Sequence, residues 1–291
     1  MAAYKNKVRV AAHRGNSCVC PENTLVAMRS ALELPVDMLE IDLHMTKDGH
    51  IILMHDHAVD RTTDHTGLIR DYTLAQIRAM DAGSWKDEAF RGERVPLFEE
   101  FLELLKDYPD MTFNVELKDY PLEAENWPLD TARAWARESA DKAIALIEQY
   151  GIAERVWFNC WSGELLEYVD AAYGHRYKLH GYFPFELMHG VKTRAPYDYL
   201  HCVCLFGTGD APVVAKEEFD RAKACGVEPW CFFPGDQEEY YEGAIANGCM
   251  LLTCNHPAKA LAYLRDVGKD TQILYFVCHP SRAGQQKRSP S

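Results

Sequence analysis

The sequence predicts an α/β fold, a single (β/α)8 barrel with a small insertion after its second strand. Short apolar runs rich in β-formers alternate with longer segments of helical period, and eight such pairs occur. No shift in composition divides the alternation into two open sheets. The length of 291 residues suits a closed barrel, which needs about 250 residues.

Taken in order, the β-rich runs are 8–12, 36–43, 111–117, 155–159, 177–183, 199–205, 227–233 and 250–253. Helical periodicity follows each of them, over 23–32, 97–106, 131–150, 163–173, 184–192, 213–225, 237–247 and 257–267. The rhythm breaks once, over about 45–95, where a short strand at 51–55, a helix at 73–80 and a loop rich in Gly and charge form the insertion. Residues 1–270 are thus expected to be one barrel domain and 271–291 a tail, strand-like over 271–279 and polar, without fixed structure, over 284–291.

The 31 Lys and Arg face 44 Asp and Glu, for a net charge of −13. No basic block offers the counterion release that holds nucleic acid or an anionic membrane, so neither nucleic-acid binding nor stable membrane association is expected. A phosphorylated substrate would need a bridging metal. The N-terminus enters its first strand at Val8 without the apolar run of a secretion signal, and no stretch reaches the length of a membrane span. The ten cysteines then read as reduced thiols of a soluble cytoplasmic protein.

Candidate chemistry sits at strand ends. On the second strand Leu39, Ile41 and Leu43 share one face, and Glu40, Asp42 and His44 share the other; on the third, Phe113, Val115 and Leu117 oppose Asn114, Glu116 and Lys118. If the apolar faces meet the outer helices, Glu40, Asp42 and Glu116 converge inside the C-terminal rim, where barrel enzymes carry out their chemistry. Pairing with Lys or Arg is the bland explanation for such carboxylates. Their repetition on two neighbouring strands favours a hard divalent cation, Mg²⁺ or Ca²⁺.

The first strand ends in His13-Arg14-Gly15, where Arg14 offers a forked donor for phosphate oxygens. Asp48-Gly49 is a hairpin signal; as a two-residue turn it pairs Lys47 with His50 and sets Asp42 opposite His55. A slip of one residue would turn His55 to the other face. Two histidines, a cation and an arginine are the parts needed for displacement at phosphorus, and phosphodiester hydrolysis is the leading expectation.

The ordered string His13-Arg14-Gly15, Pro21-Glu22-Asn23-Thr24, Glu40-x-Asp42, Thr46-x-Asp48-Gly49, His55-Asp56, Arg61-Thr62-Thr63 and Asn114-x-Glu116-x-Lys118 resembles the glycerophosphodiester phosphodiesterase family. The likeness covers roughly the first 120 residues. It implies a TIM-barrel enzyme that cleaves glycerophosphodiesters, small-molecule substrates, to an alcohol and glycerol 3-phosphate with a divalent cation. By position, Glu40, Asp42 and Glu116 would hold the metal, His13 and His55 would serve as acid and base, and Arg14 and Lys118 would contact phosphate. Glu22 and Asn23 would support the site, with helix capping the alternative for Asn23. The chemistry could run in one step or through a cyclic phosphate; a lyase that keeps the cyclic product and a silent phospholigand-binding barrel are the rival readings.

The second half departs from the family pattern. Cys160-Trp161-Ser162 stands where Ser-Phe-Asp is usual, Trp230-Cys231-Phe232-Phe233 replaces Trp-Thr-Val-Asn, and Thr253-Cys254-Asn255-His256-Pro257 lacks the common Asp. The added aromatics predict a less polar leaving group. Trp230 either stacks on the glycerol carbons or packs in the barrel core. Cys18-x-Cys20 and Cys202-x-Cys204 lack the spacing of a zinc site and read as free thiols.

Overall fold

The computed structural model describes residues 7–269 except 123, 125, 126, 208–210 and 236, so the expected tail lies outside the described residues. Eight parallel strands form the barrel: β1 (Arg9–His13), β2 (Met38–Met45), β4 (Thr112–Leu117), β5 (Val156–Asn159), β6 (Lys178–Phe183), β7 (Cys202–Leu205), β8 (Glu228–Phe233) and β9 (Leu251–Cys254). Each pairs with its neighbour in the order β1-β9-β8-β7-β6-β5-β4-β2, and the β1–β2 pairing closes the ring. β3 (Ile51–Leu53) runs antiparallel on β2 outside it.

The alternation of side chains explains both layers. Leu39, Ile41, Leu43, Phe113 and Val115 point outward and are essentially inaccessible, packed with the apolar stripe of the long helix α4 (Leu129–Gln149), including Ala136, Ala140, Ala143 and Ile144. The other helices are α1 (Leu25–Leu32), α2 (Leu74–Ile77), α3 (Phe98–Leu104), α5 (Gly163–Ala172), α6 (Lys216–Ala224), α7 (Glu238–Asn247) and α8 (Pro257–Asp266). Inside the ring, Ala11, Met38, Trp157, Cys202, Trp230 and Leu251 form a separate apolar floor. The insertion carries a small core of its own, with Ile52, Met54, Val59, Ile69 and Ile77 at its centre.

Two expected elements differ. No α-helix forms over 184–192; the link from β6 to β7 holds only 3-10 turns, Phe185–Leu187 and Pro196–Asp198. Gly190 at φ +81° takes the chain off the helical path, and the His189 carbonyl instead accepts from Gly163 N.

The hairpin also closes one residue away from the expected register. Thr46, not Lys47, faces His50, and the loop has three residues with Gly49 at φ +84°. The Thr46 hydroxyl fixes this loop by donating to Asp48 Oδ1 and accepting from His50 N. Met54, rather than His55, therefore lies opposite Asp42 and donates its N–H to the Asp42 carbonyl.

Candidate active site

Register sets the height of the inward groups. His13 on β1 is level with Glu40 on β2, and Asp42 is level with Glu116 on β4. One oxygen from each of Glu40, Asp42 and Glu116 lies within 4.8 Å of the others, and all three residues are buried. Burial and then the Asp42 and Glu116 charges push the Glu40 carboxyl well above its usual range.

Two cations stand beside the cluster. Lys118 Nζ lies 2.7 Å from Glu116 Oε1 and 3.6 Å from Asp42 Oδ1. Burial would discharge this ammonium, but the Glu116 and Asp42 charges outweigh it and raise its pKa. Arg14 Nε is 3.2 Å from Asp42 Oδ2, close enough for an ion pair yet not aligned as a hydrogen bond. Its backbone N–H donates to Glu40 Oε2 at 3.1 Å.

These residues fit a divalent cation. Three carboxylates meet two cationic side chains, and the buried Asp42 Oδ1 accepts no hydrogen bond. A carboxylate oxygen left in that state inside a protein is an available ligand.

The surrounding loops are held in costly backbone conformations. Arg14 and Asn23 have φ of +55° and +56°, a region that non-glycine residues seldom occupy. Asn23 N donates to the Arg14 carbonyl, while the Asn23 side chain donates to Asp42 Oδ2 at 2.7 Å and accepts from Asp42 N. Asn23 thus clamps a cluster carboxylate, and Thr24 is the residue that caps α1. Gly15 serves the same turn by packing on α1: a Cβ there would come within 2.7 Å of the Ala27 carbonyl carbon.

His13 is the histidine in direct reach. Its Nε2 is 3.8 Å from Glu40 Oε2, its Nδ1 is 2.6 Å from Asn255 Oδ1, and its ring packs on Phe232. Burial first and the Arg14 charge second lower its pKa to about 3, which keeps the imidazole neutral.

His55 lies beyond the end of β3, off the ladder, sharing a narrow cleft with Glu22, Asn23 and Thr62. No hydrogen bond or ion pair joins it to the carboxylates among the described residues. Its link to the cluster is a chain of polar contacts: His55 Nδ1 to Asp56 at 2.5 Å, Asp56 to Arg61 at 2.7 Å, Arg61 to Glu22 at 2.8 Å, Glu22 to Arg14 at 2.8 Å. Burial alone would raise the Glu22 carboxyl, yet the hydrogen bond from Arg61 and the Arg14 charge hold it down at about 2.

Trp230 does not reach the mouth. It is fully buried in the barrel floor, with its ring 6.0 Å from that of Trp157 and its indole N–H donating to Glu228 Oε2. The inward aromatic at the rim is Phe232, one alternation further along β8. With Phe206, Tyr182 and Trp161 it forms an aromatic wall, in which Trp161 stacks on Tyr182 at 3.9 Å.

Two tyrosines also reach the cluster: Tyr120, which no motif marks, and Tyr182, which its strand pattern alone reads as a satisfied interior residue. Tyr120 donates to Glu116 Oε1 at 2.6 Å, and Tyr182 Oη lies 3.2 Å from Glu116 Oε2. Arg61 and Asn255 carried a usable signal, the first in a recognised motif and the second at the end of the last barrel strand.

Fold and site together define an α/β barrel whose mouth gathers three buried carboxylates able to hold a cation, two cationic side chains and a partly buried histidine. Residues 13–229 match the glycerophosphoryl diester phosphodiesterase family, and the chain belongs to that family. A glycerophosphodiester phosphodiesterase of Caldanaerobacter subterraneus subsp. tengcongensis is 40% identical over 154 residues, which is 52% of this chain and 56% of that protein. One from Bacillus subtilis is 42% identical over 106 residues, 34% of this chain and 36% of that protein. The matched segments therefore span about half or less of these relatives. A phosphodiesterase of Oleispira antarctica, solved in complex with the product sn-glycerol-3-phosphate, shares the fold with a TM-score of 0.73 at 22% identity, over 90% of this chain and 99% of that one. No helix among the described residues is long and apolar enough to cross a membrane.

Proposed function

We propose that the chain hydrolyses glycerophosphodiesters to an alcohol and glycerol 3-phosphate, using Mg²⁺ or Ca²⁺, with residues 1–270 as its catalytic domain. The observation that carries this reading is the buried cluster of Glu40, Asp42 and Glu116, with an orphaned Asp42 oxygen, between Arg14 and Lys118. The product bound by the Oleispira antarctica phosphodiesterase is the product expected here. The nine described cysteines are all free, in keeping with a reducing, cytoplasmic setting.

Glu40, Asp42 and Glu116 hold the ion, which when bound polarises a phosphoryl oxygen and offsets the carboxylate charge. Arg14 and Lys118 take the remaining phosphate oxygens. His13 Nδ1 is tied to Asn255 Oδ1, an acceptor, so the proton resides on Nδ1 and the Nε2 lone pair is free to accept one. The free Nε2, 3.8 Å from Glu40 Oε2 at the edge of the cluster, suits His13 to the role of base. His55, oriented through Nδ1 by Asp56, is the proton donor to the leaving oxygen, and Glu22 and Arg61 position that pair. Trp161, Phe206 and Phe232 line the side that receives the alcohol, favouring less polar leaving groups.

The test is release of glycerol 3-phosphate from a panel of glycerophosphodiesters with Mg²⁺, Ca²⁺ or chelator, for wild type, Glu116→Gln and His55→Ala. Cation-dependent release lost in both variants supports the reading. In ¹⁸O water the phosphate product should carry label; an unlabelled cyclic phosphate as final product would overturn hydrolysis.

A further inference from the structure

Beside the carboxylate cluster lies a second group of metal-competent side chains that the proposed reaction does not use. His44 comes from the end of β2, His57 from the loop after β3 and Asp119 from just beyond β4, and one ligating atom of each lies within 4.8 Å of the others. His44 and Asp119 are buried, whereas His57 is exposed. The group borders a cavity of about 350 Å³ whose other walls include Leu68, Arg70, Tyr120 and Trp127.

The hydrogen bonds around Asp119 fix one of the two imidazoles in place. Asp119 is committed: its Oδ1 lies 2.8 Å from His44 Nδ1, and its Oδ2 accepts from Met45 N at 2.8 Å and Ser139 Oγ at 2.6 Å. The other ring nitrogen of His44, Nε2, lies 3.3 Å from the carbonyl oxygen of His55. The His57 ring stands edge-on at 4.9 Å from the His44 ring. Two imidazoles thus stand together at the cavity, one backed by a carboxylate and the other open to solvent.

We infer that His44 and His57 bind a divalent transition-metal ion of the Zn²⁺ or Co²⁺ class, with Asp119 orienting His44 through Nδ1. A carboxylate behind a ligating imidazole is the usual support of such ligands, and imidazole nitrogen selects these ions over Mg²⁺ and Ca²⁺, which prefer oxygen. The exposed side of His57 gives the ion a way in, and the adjoining cavity leaves space for water or an anionic ligand on the metal. The ion ties the loop bearing His57 to the ends of β2 and β4. This inference is independent of the hydrolytic reading.

The experiment is Co²⁺ titration of the full chain in saturating Mg²⁺, followed by visible absorption and by metal analysis after gel filtration, for wild type, His57→Ala, Asp119→Asn and Glu116→Gln. Expected is one equivalent of Co²⁺ with a nitrogen-type d–d band, retained in Glu116→Gln and lost in His57→Ala, an exposed position at which substitution should leave the fold intact. Asp119→Asn should bind about 10–100-fold more weakly, with circular dichroism melts establishing that it is folded. Absence of bound Co²⁺ in wild type, stoichiometry unchanged by His57→Ala, or an intense thiolate charge-transfer band in place of the nitrogen signature would each overturn the inference.

Discussion

At the ends of β1, β2 and β4 the barrel mouth presents His13, Glu40, Asp42, Glu116 and Lys118, a polar set held by ion pairs and strained turns. Across the ring, the ends of β6 and β8 and the loops after β5 and β7 present Tyr182, Phe232, Trp161 and Phe206, packed ring against ring. The two sides meet at His13, whose ring rests on Phe232, and at Glu116, which Tyr182 approaches. One side is expensive to assemble, because like charges are brought together out of water. The other is ordinary apolar packing. Chemistry should therefore be concentrated on the first side and selectivity on the second, and substitutions on the two sides should read out in different kinetic constants.

The largest effect is expected from the polar side. His13→Ala should lower kcat about 10²–10⁴-fold, the usual span for a proton-transfer group, with little change in KM for glycerophosphodiesters. Its partner Asn255 offers a finer check: Asn255→Asp, which places a charge against Nδ1, should move the acidic limb of the kcat/KM profile upward, because a neighbouring carboxylate favours the protonated ring. Loss of KM rather than kcat in His13→Ala would mean that the polar side only binds.

Next comes the chain of polar contacts that joins His55 to the cluster. Glu22→Gln leaves Arg14 and Arg61 without their shared carboxylate and should destabilise the protein by about 1–3 kcal/mol at neutral pH. The sign with pH follows from the Glu22 carboxyl being held at about 2 in the folded protein, below its unfolded value near 4.5. Its contribution is complete above about pH 4.5 and fades as pH falls towards 2. Urea unfolding of wild type and variant across that window should converge at the acid end, and curves that stay parallel would deny Glu22 its charged role.

A smaller effect, of a different kind, is expected on the aromatic side. Phe232→Ala removes the ring against His13 and should raise KM for substrates with bulky or apolar alcohols by about tenfold, roughly the 1.4 kcal/mol of one lost aromatic contact, while kcat on the smallest glycerophosphodiester changes little. Equal losses for all alcohols would erase the distinction between the two sides.

The polar side was the more legible in sequence. Alternation on two adjacent strands is enough to put Glu40, Asp42 and Glu116 on one face, and a closed ring leaves that face only the interior to point into. His55 was harder, since its position depends on the hairpin: the Thr46 hydroxyl bonds that select a three-residue loop cannot be told in advance from the two-residue alternative. The β6–β7 link differs for a related reason, as helical periodicity over 184–192 points to a helix while Gly190 governs the path. On the aromatic side, which tryptophan lines the mouth depends on the height of each strand in the barrel, and that height comes from shear around the whole ring rather than from any local pattern.

Trp230 makes the point measurable with the smallest effect. It sits two residues before Phe232, on the same inward face of β8, yet its indole meets Trp157 and Glu228 at the floor rather than substrate at the rim. Trp230→Phe keeps an aromatic ring and removes the hydrogen bond to Glu228, at a cost of about 1 kcal/mol plus a modest packing loss. The melting temperature should fall by a few degrees, and the ranking of alcohols should stay as in wild type. A changed ranking with unchanged stability would carry the aromatic side down into the floor and remove the boundary between packing and selection that the two tryptophan-bearing layers mark.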